Sequence, residues 1–368
     1  MSIKNIFIML LITMFFACSQ QAPQESFQTF DLKKSQDILP ISSFAKKVDY
    51  IELKVSEVGL ELGEIEDIKL IGGDLIVKHR LSGKSGFLRF TGNGEFVIEL
   101  VGEKTSGVTD PKDLIAYDEG YAVLAGNGIF IVSSDGKYKG ELVGETMPGS
   151  RFFFANGSFH VINETVRGYL LQTFPAEDRT KYSSKKLAEP VQRMIYSSVQ
   201  TFGKNEVHFY SALNDTVFRF NGNITEPVYA LQGNNMPTFA QLCEKTGDLD
   251  NKETLRLLRE NEHVIVRKYL ENHMYIFVTY WVGSNSSTAI VNKKSGDIRY
   301  FGHGVNDLDG GVWDKVIRLT DKDELLVPLR AHKVAGHKIT NKREKRFAAL
   351  QKRIAASSNP VIMRVKLR

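Results

Sequence analysis

The residues of this chain best suited to chemistry are scattered singly rather than gathered into one motif. The run "VNDLDGGVWD" holds Asp307, Asp309 and Asp314 and invites comparison with a calcium loop. An EF-hand needs ligands at positions 1, 3 and 5, Gly at 6 and Glu at 12. Here Gly310 follows the second Asp directly and Arg318 stands where the Glu should be. The run therefore reads as turn chemistry between two structural units, and no metal is expected. The chain has eight histidines. His160, His208 and His273 lie in or beside alternating apolar runs, where a hydrogen-bonded structural role is expected. His79, His303, His332 and His337 lie in the longer, variable connections, yet no pair has zinc-helix spacing and none adjoins a nucleophile-elbow Ser. No phosphate-cradling Gly loop is present. Two carboxylates for glycosidic chemistry can come from different elements about 5 to 9.5 Å apart, a distance that sequence spacing does not fix. Trp281 and Trp313 are candidates to stack on a sugar ring. No catalytic residue, metal or cofactor is assigned, and a non-enzymatic role is the reading, with a carbohydrate-active lyase or hydrolase as the alternative.

The elements that must position these residues are repeats. "FLRFTGNGEFVIEL" (87 to 100) and "IFIVSSDGKYKGEL" (129 to 142) both read as strand, Asn/Asp-Gly turn, strand, a strong local hairpin signal. The shape returns in "VFRFNGNITEPVYAL" and "AIVNKKSGDIRYF", and a further hairpin precedes each unit, from "IEDIKLIGGDLIVKH" to "DKVIRLTDKDELLVPL". Six first hairpins imply six four-stranded units. The sixth ends in "PVIMRVKLR", one strand short, and "VDYIELKV" (48 to 55) is left over to supply it. Residues 48–368 without two insertions, 234–262 and 331–358, come to about 44 per unit, within the range of propeller blades. The expectation is an all-β, six-bladed β-propeller over 48–368, with the N-terminal strand closing the last blade and two short helical insertions on one face.

The stretches "VDYIELKV" with "GEIEDIKLIGGDLIV", "SALNDTVFRF" and "NPVIMRVKLR" resemble the Bacteroidetes-type six-bladed β-propeller lipoproteins, a family largely of unknown function. The resemblance covers nearly all of the chain after its leader. A Gly-rich loop found after the first blade in that family is replaced here by "GEKTSGVTDP", so no residue role is carried over from it.

Turns after the first and third strands of each unit share one face of such a ring and are short and Gly-rich. Turns after the second and fourth share the other face and are longer: "HRLSGKSG", "GEKTSGVTDP", "NETVRG", "WVGSNSS", "GHGVNDLDGG" and both insertions. A binding site is expected there, around the central channel. The candidate ligand-face residues are His79, Arg80, Arg167, Asn214, Trp281, Asn285, His303, Asp307, Asp309, Trp313 and Arg330. The first insertion reads as two short helices, one capped by Thr238 and carrying Cys243, the other with Leu255 and Leu258 on one face. The second holds a basic helix from about Asn341, with Phe347, Leu350 and Ile354 as an apolar stripe. Together the insertions are placed to cap the channel. The second reads as a solvated helix lying on the propeller, with its basic residues as a patch for an acidic glycan, anionic lipid or partner protein as the alternative.

Before the first repeat, Ile6 to Ala17 form a 12-residue apolar run after Lys4, too short for a bilayer span and shaped like a secretory leader. Phe15-Phe16-Ala17-Cys18 resembles a relaxed bacterial lipoprotein box. Residues 1–17 are thus expected to be a signal peptide, Cys18 the lipid attachment, and 18–47 a tether and lead-in. The two cysteines, Cys18 and Cys243, provide no disulfide framework, so stability must come from a core. A net charge of +5 in 368 residues is too small to argue for nucleic acid. The expected setting is the cell envelope, lipid-anchored to the outer membrane. The periplasmic side is favoured because no acidic cluster follows Cys18. The expected partners are that membrane and a glycan or envelope protein.

Overall fold

A computed structural model describes residues 28–368 except 103–107, 127, 145–148, 166–167, 178–182, 189–196, 203–205, 212–215, 221–224, 234–250 and 340–344. It is a six-bladed β-propeller. Blade 1 is Glu64–Ile71, Asp74–Leu81, Lys84–Phe90 and Phe96–Val101; blade 2 is Asp113–Tyr117, Gly120–Ala125, Gly128–Ser133 and Tyr138–Gly144. Blade 3 is Gly149–Ala155, Ser158–Thr165, Gly168–Pro175 and Ser183–Ala188; blade 4 is Ser197–Phe202, Glu206–Ser211, Thr216–Phe220 and Thr225–Gln232. Blade 5 is Val264–Glu271, Tyr275–Val282, Asn285–Asn292 and Ile298–Phe301. Blade 6 takes Arg318–Leu319, Glu324–Leu329 and Val361–Leu367 from the C-terminal end and Ala45–Glu52 as its outermost strand. That last pairing is antiparallel, with Met363 opposite Tyr50, and it closes the ring where "VDYIELKV" was expected to do so.

Local backbone preference explains the hairpins. Asn156 and Gly157 both take positive φ, 49° and 70°, the combination a two-residue turn needs to match the twist of its flanking strands. The same chemistry corrects two of the long loops expected from sequence. In "HRLSGKSG" the strands continue to Leu81 and resume at Lys84, with Ser82 and Gly83 alone at the turn at φ 49° and 82°. In "WVGSNSS" Val282 pairs with Asn285 across Gly283 and Ser284. A Ser beside a Gly supports the left-handed conformation well enough that both segments are strand with a minimal turn.

The core lies between neighbouring blades. Leu75, Val77, Leu88 and Phe90 of blade 1 pack with Leu326 and Ile362 of blade 6 and with Ile51 of the closing strand. Before that strand the chain runs along the outside of the ring. Gln28–Asp31 adds to blade 4 as a parallel fifth strand, and Ile38–Pro40 pairs in parallel with His303–Val305 beside blade 5. Phe30, Leu32, Ile41 and Phe44 are buried, so the described part of the lead-in is packed onto the ring from residue 28.

Three helices are described: α1, Asn251–Glu260; α2, Ala331–Ala335; α3, Lys345–Ser357. The first helix expected in the 234–262 insertion, with Thr238 and Cys243, lies outside the described residues. Phe347, Leu350 and Ile354 of α3 are fully buried, and Phe347 sits 5.7 Å from the Tyr50 ring. Arg346 is 3.1 Å from Asp49 and Arg353 3.7 Å from Glu52. Instead of capping the channel, α3 clasps the outermost strand of blade 6, because its apolar stripe finds its partner there. Among the described residues no helix is long and apolar enough to cross a membrane.

Candidate binding clefts on the long-loop face

Two neighbouring clefts open on the face that carries the interblade connections and insertions. The larger, about 970 Å³, lies where the ring closes, between Glu64, Glu66 and Arg80 of blade 1 and Arg330, His332 and Lys333 beyond the second strand of blade 6. Its charges are half-engaged: Arg80 pairs with Glu66 at 2.7 Å, while Arg330 stays 3.7 Å from Glu64 with both side chains exposed. The smaller cleft, about 380 Å³, crosses blade 5 toward blade 6 and is lined by Arg267, Lys268, Trp281, His303, Trp313 and Lys315, among others. Asp314 and Lys315 line both, so the two form one charged trough over blades 5, 6 and 1.

The expected ligand-face residues divide accordingly. Trp281, His303 and Trp313 come together in the smaller cleft, and Arg80 and Arg330 in the larger. Trp281 lies on a strand with its ring already used: the guanidinium of Arg267 is 4.3 Å and that of Arg259 in α1 5.0 Å from its centre. That arrangement holds two cations in place. Trp313 packs edge-on to Phe44 at 6.1 Å. A Cβ on Gly304 would fall 2.7 Å from Trp313 Nε1, so only Gly lets the indole lie flat there.

The remaining described candidates line neither cleft. His79 is buried in blade 1, and burial, opposed by nearby Glu66, lowers its pKa and keeps it neutral. Asn285 accepts a hydrogen bond from the amide of Gln36 in the lead-in. Asp307 accepts from the Ser42 backbone N–H at 2.9 Å. Asp309 is buried and accepts from Tyr50 Oη at 3.1 Å and Asn306 Nδ2 at 2.7 Å. Asp314 pairs with Lys333 at 2.5 Å. The three aspartates thus serve three separate attachments, tying the lead-in, the closing strand and α2 to one connection. Arg167 and Asn214 lie outside the described residues.

The sequence reading missed two constellations. The first is the channel wall. The innermost strands of successive blades touch one another from blade 2 around to blade 1, and they carry Asp67, Lys69, Asp113, Arg151, Lys268 and Arg318. Lys69 Nζ lies 2.5 Å from Asp113 and donates to the Leu114 carbonyl at 2.7 Å, linking blades 1 and 2. Arg151 of blade 3 is 3.2 Å from Asp67 and 3.7 Å from Asp113. Burial alone would raise the Asp67 pKa, but Arg151, Arg318 and the channel lysines hold it down at about 2.

The second lies on the opposite face between blades 4 and 5. Glu271, fully enclosed, accepts from Tyr269 Oη and from Lys293 Nζ at 2.6 Å, and lies 2.7 Å from His208 Nδ1. His208 Nε2 continues to Glu206 at 3.1 Å. Burial works to raise the Glu271 pKa, but His208 and Lys293 outweigh it and the carboxyl is held below its ordinary range.

Among solved structures, the fold is similar to the putative exported protein of Bacteroides fragilis NCTC 9343, with a TM-score of 0.70 at 14% identity over 93% of this chain and all of that one. A streptogramin B lyase matches at TM-score 0.43 and 11% identity, covering 76% of this chain and 80% of that one. The Pan2 WD40 domain of Neurospora crassa matches at 0.44 and 8%, covering 89% and 97%. The last two are too distant to argue from. Among curated proteins none matches. The family described as a domain of unknown function, DUF4934, matches residues 27–366, and the chain belongs to it.

Proposed function

We propose that this chain is an exported binding protein, anchored in the outer membrane through lipid on Cys18, that presents the long-loop face of its propeller to a glycan or envelope protein. The observation that carries the reading is the charged trough over blades 5, 6 and 1. Its volume is in the range of ligand sites, and it lies on the face where the elaborated connections gather. Its walls of Arg, Lys, Glu and Asp suit a polar, extended partner better than an apolar one. Export is supported by the short apolar run after Lys4 and by the naming of the B. fragilis neighbour, and the sequence after Cys18 favours the periplasmic side.

A lyase or hydrolase working in the channel is the second reading, favoured by a channel wall that is charged instead of apolar. Against it, Asp67 and Asp113 are both ion-paired, and a carboxyl held at about 2 does not serve as a general acid near neutrality.

The test is a glycan array and mild-detergent co-purification, run with the native protein, an Arg80→Ala/Arg330→Ala variant and a Lys137→Ala/Lys294→Ala control on the short-turn face. Loss of the recovered partner in the first variant and retention in the control is expected. The opposite pattern overturns the assignment of the face.

A further inference from the structure

Two cations of the channel wall have no carboxylate in contact with them among the described residues. Among the described residues of the innermost strands, two carboxylates, Asp67 and Asp113, meet Lys69 and Arg151 within 4 Å. Lys268 of blade 5 and Arg318 of blade 6 have no carboxylate within that distance among the described residues. Lys268 Nζ donates to the Ile317 carbonyl at 3.4 Å, a long bond to a neutral group. The innermost strand of blade 4, "SSVQTF", contains no ionisable residue, so it does not supply the missing charge. Lys315 adds a further cation at the rim, shared by both clefts.

A charge removed from water without a counter-charge is costly, and the arrangement carries the physical mark of that cost. Burial, with repulsion from Lys315, Arg151 and Arg318 and only partial relief from Asp67, lowers the Lys268 pKa from 10.5 to about 8. Access is open, because Lys268 lines the cleft over blade 5, where Arg267 is held against Trp281.

We infer that Lys268, which lines the blade 5 cleft, and Arg318 on the adjoining innermost strand of blade 6 form a binding site for an oxyanion, a carboxylate, sulfate or phosphate group, carried by a ligand whose remaining part lies in the blade 5 cleft. This deepens the proposed function and rests on it for the cleft: of the glycans that would fit, it selects acidic ones. The oxyanion can be borne by a sugar or be free in solution, and the same residues would hold either.

Calorimetric titration of the purified protein at fixed ionic strength, with D-galacturonate, D-galactose and sodium sulfate, separates these cases. The two sugars differ by one carboxylate. Galacturonate is expected to bind at least tenfold more tightly than galactose. That preference should be lost in Lys268→Met and Arg318→Gln and kept in Lys268→Arg. Sulfate should raise the melting temperature of the native protein but not of Lys268→Met. Without any ligand, Lys268→Met should itself melt higher, since it removes an unmatched cation, which also shows that the variant folds. Binding of sulfate alone, sensitive to Lys268, supports the site with a free oxyanion as its occupant. Equal binding of the two sugars, unchanged in Lys268→Met, overturns the oxyanion site and leaves the cleft reading standing. Absence of binding by all three probes overturns the oxyanion site, and the Arg80/Arg330 experiment then decides the cleft separately.

Discussion

Replacing Glu271 with Ala should be among the most damaging single changes in the ring, although the residue lies on the face opposite the clefts. Its carboxylate is fully enclosed and joins Tyr269 and Lys293 of its own blade to His208 of blade 4. Removing one member of a buried charged network costs about 3 to 5 kcal/mol, because the partners stay buried and unmatched. A propeller chain of about 340 residues has an unfolding entropy near 0.7 kcal/mol/K at roughly 2.1 cal/mol/K per residue, so a loss of about 4 kcal/mol lowers the melting temperature by about 6 °C. Glu271→Gln keeps the volume and one acceptor and should lose about half as much. The pH dependence supplies a second readout. Burial raises the Glu271 pKa, but its partners more than offset this and leave it below 4.5 in the folded state. The stabilisation is therefore present above the unfolded pKa and is lost as pH falls through the folded value. In scanning fluorimetry from pH 7 to pH 3, the native protein should lose more of its melting temperature than Glu271→Gln does. A fall of less than 1 °C in Glu271→Ala, or parallel acid limbs for native protein and Glu271→Gln, would refute the reasoning.

Phe347→Ala in α3 should cost about 3 to 5 kcal/mol by opening a cavity against Tyr50 and His337, whereas Arg346→Ala, which removes an exposed pair with Asp49, should cost less than about 1 kcal/mol; urea denaturation compares them. Gly304→Ala should displace the Trp313 indole, seen as a red shift in its fluorescence in a Trp281→Phe background, with little change in far-ultraviolet circular dichroism. Because the Lys268 pKa is lowered to about 8, the unfolded chain holds a proton there that the folded one has lost between about pH 8 and pH 10.5. Stability should therefore rise with pH in that window relative to Lys268→Met, by up to about 3 kcal/mol. Asp67, Lys315, Arg151 and Arg318 face the same amine and are present in both proteins, so the difference between the two reports Lys268.

What was legible in the sequence was local. Alternating strands and Gly turns repeat six times because each hairpin is specified by neighbours in the chain, and the ring closure follows from one strand missing at one end and one spare at the other. The turns at Ser82-Gly83 and Gly283-Ser284 were overestimated because Ser with Gly does not announce a hairpin as Asn-Gly does. The Glu271 network escaped because its members are 63 and 22 residues apart and meet only once blades 4 and 5 pack. The channel charges left a fainter signal. Asp67 and Lys69 interrupt "EIEDIKLI", Asp113 precedes "LIAY", Arg151 precedes "FFFA" and Lys268 sits inside "VIVRKYLE". Each is a charge set against apolar residues in the first strand of a unit. Superimposing the repeats would have placed them all on the innermost strand, where an ionised side chain needs a reason.

The position of the trough follows from how the ring is held together. At the seam of blades 6 and 1 Arg330 reaches toward Glu64 across the cleft, an exposed pair 3.7 Å long, worth little to stability. The seam is secured beneath that pair by Leu75, Val77 and Phe90 against Leu326 and Ile362, and outside it by α3 on the closing strand. Both fastenings lie away from the cleft. Arg330 and Lys315 line the cleft without serving either fastening, and their charges can be arranged for a partner without weakening the closure. A partner reaching from Arg80 of blade 1 to Arg330 of blade 6 would contact both sides of the seam at once, and its binding would add to the stability of that seam.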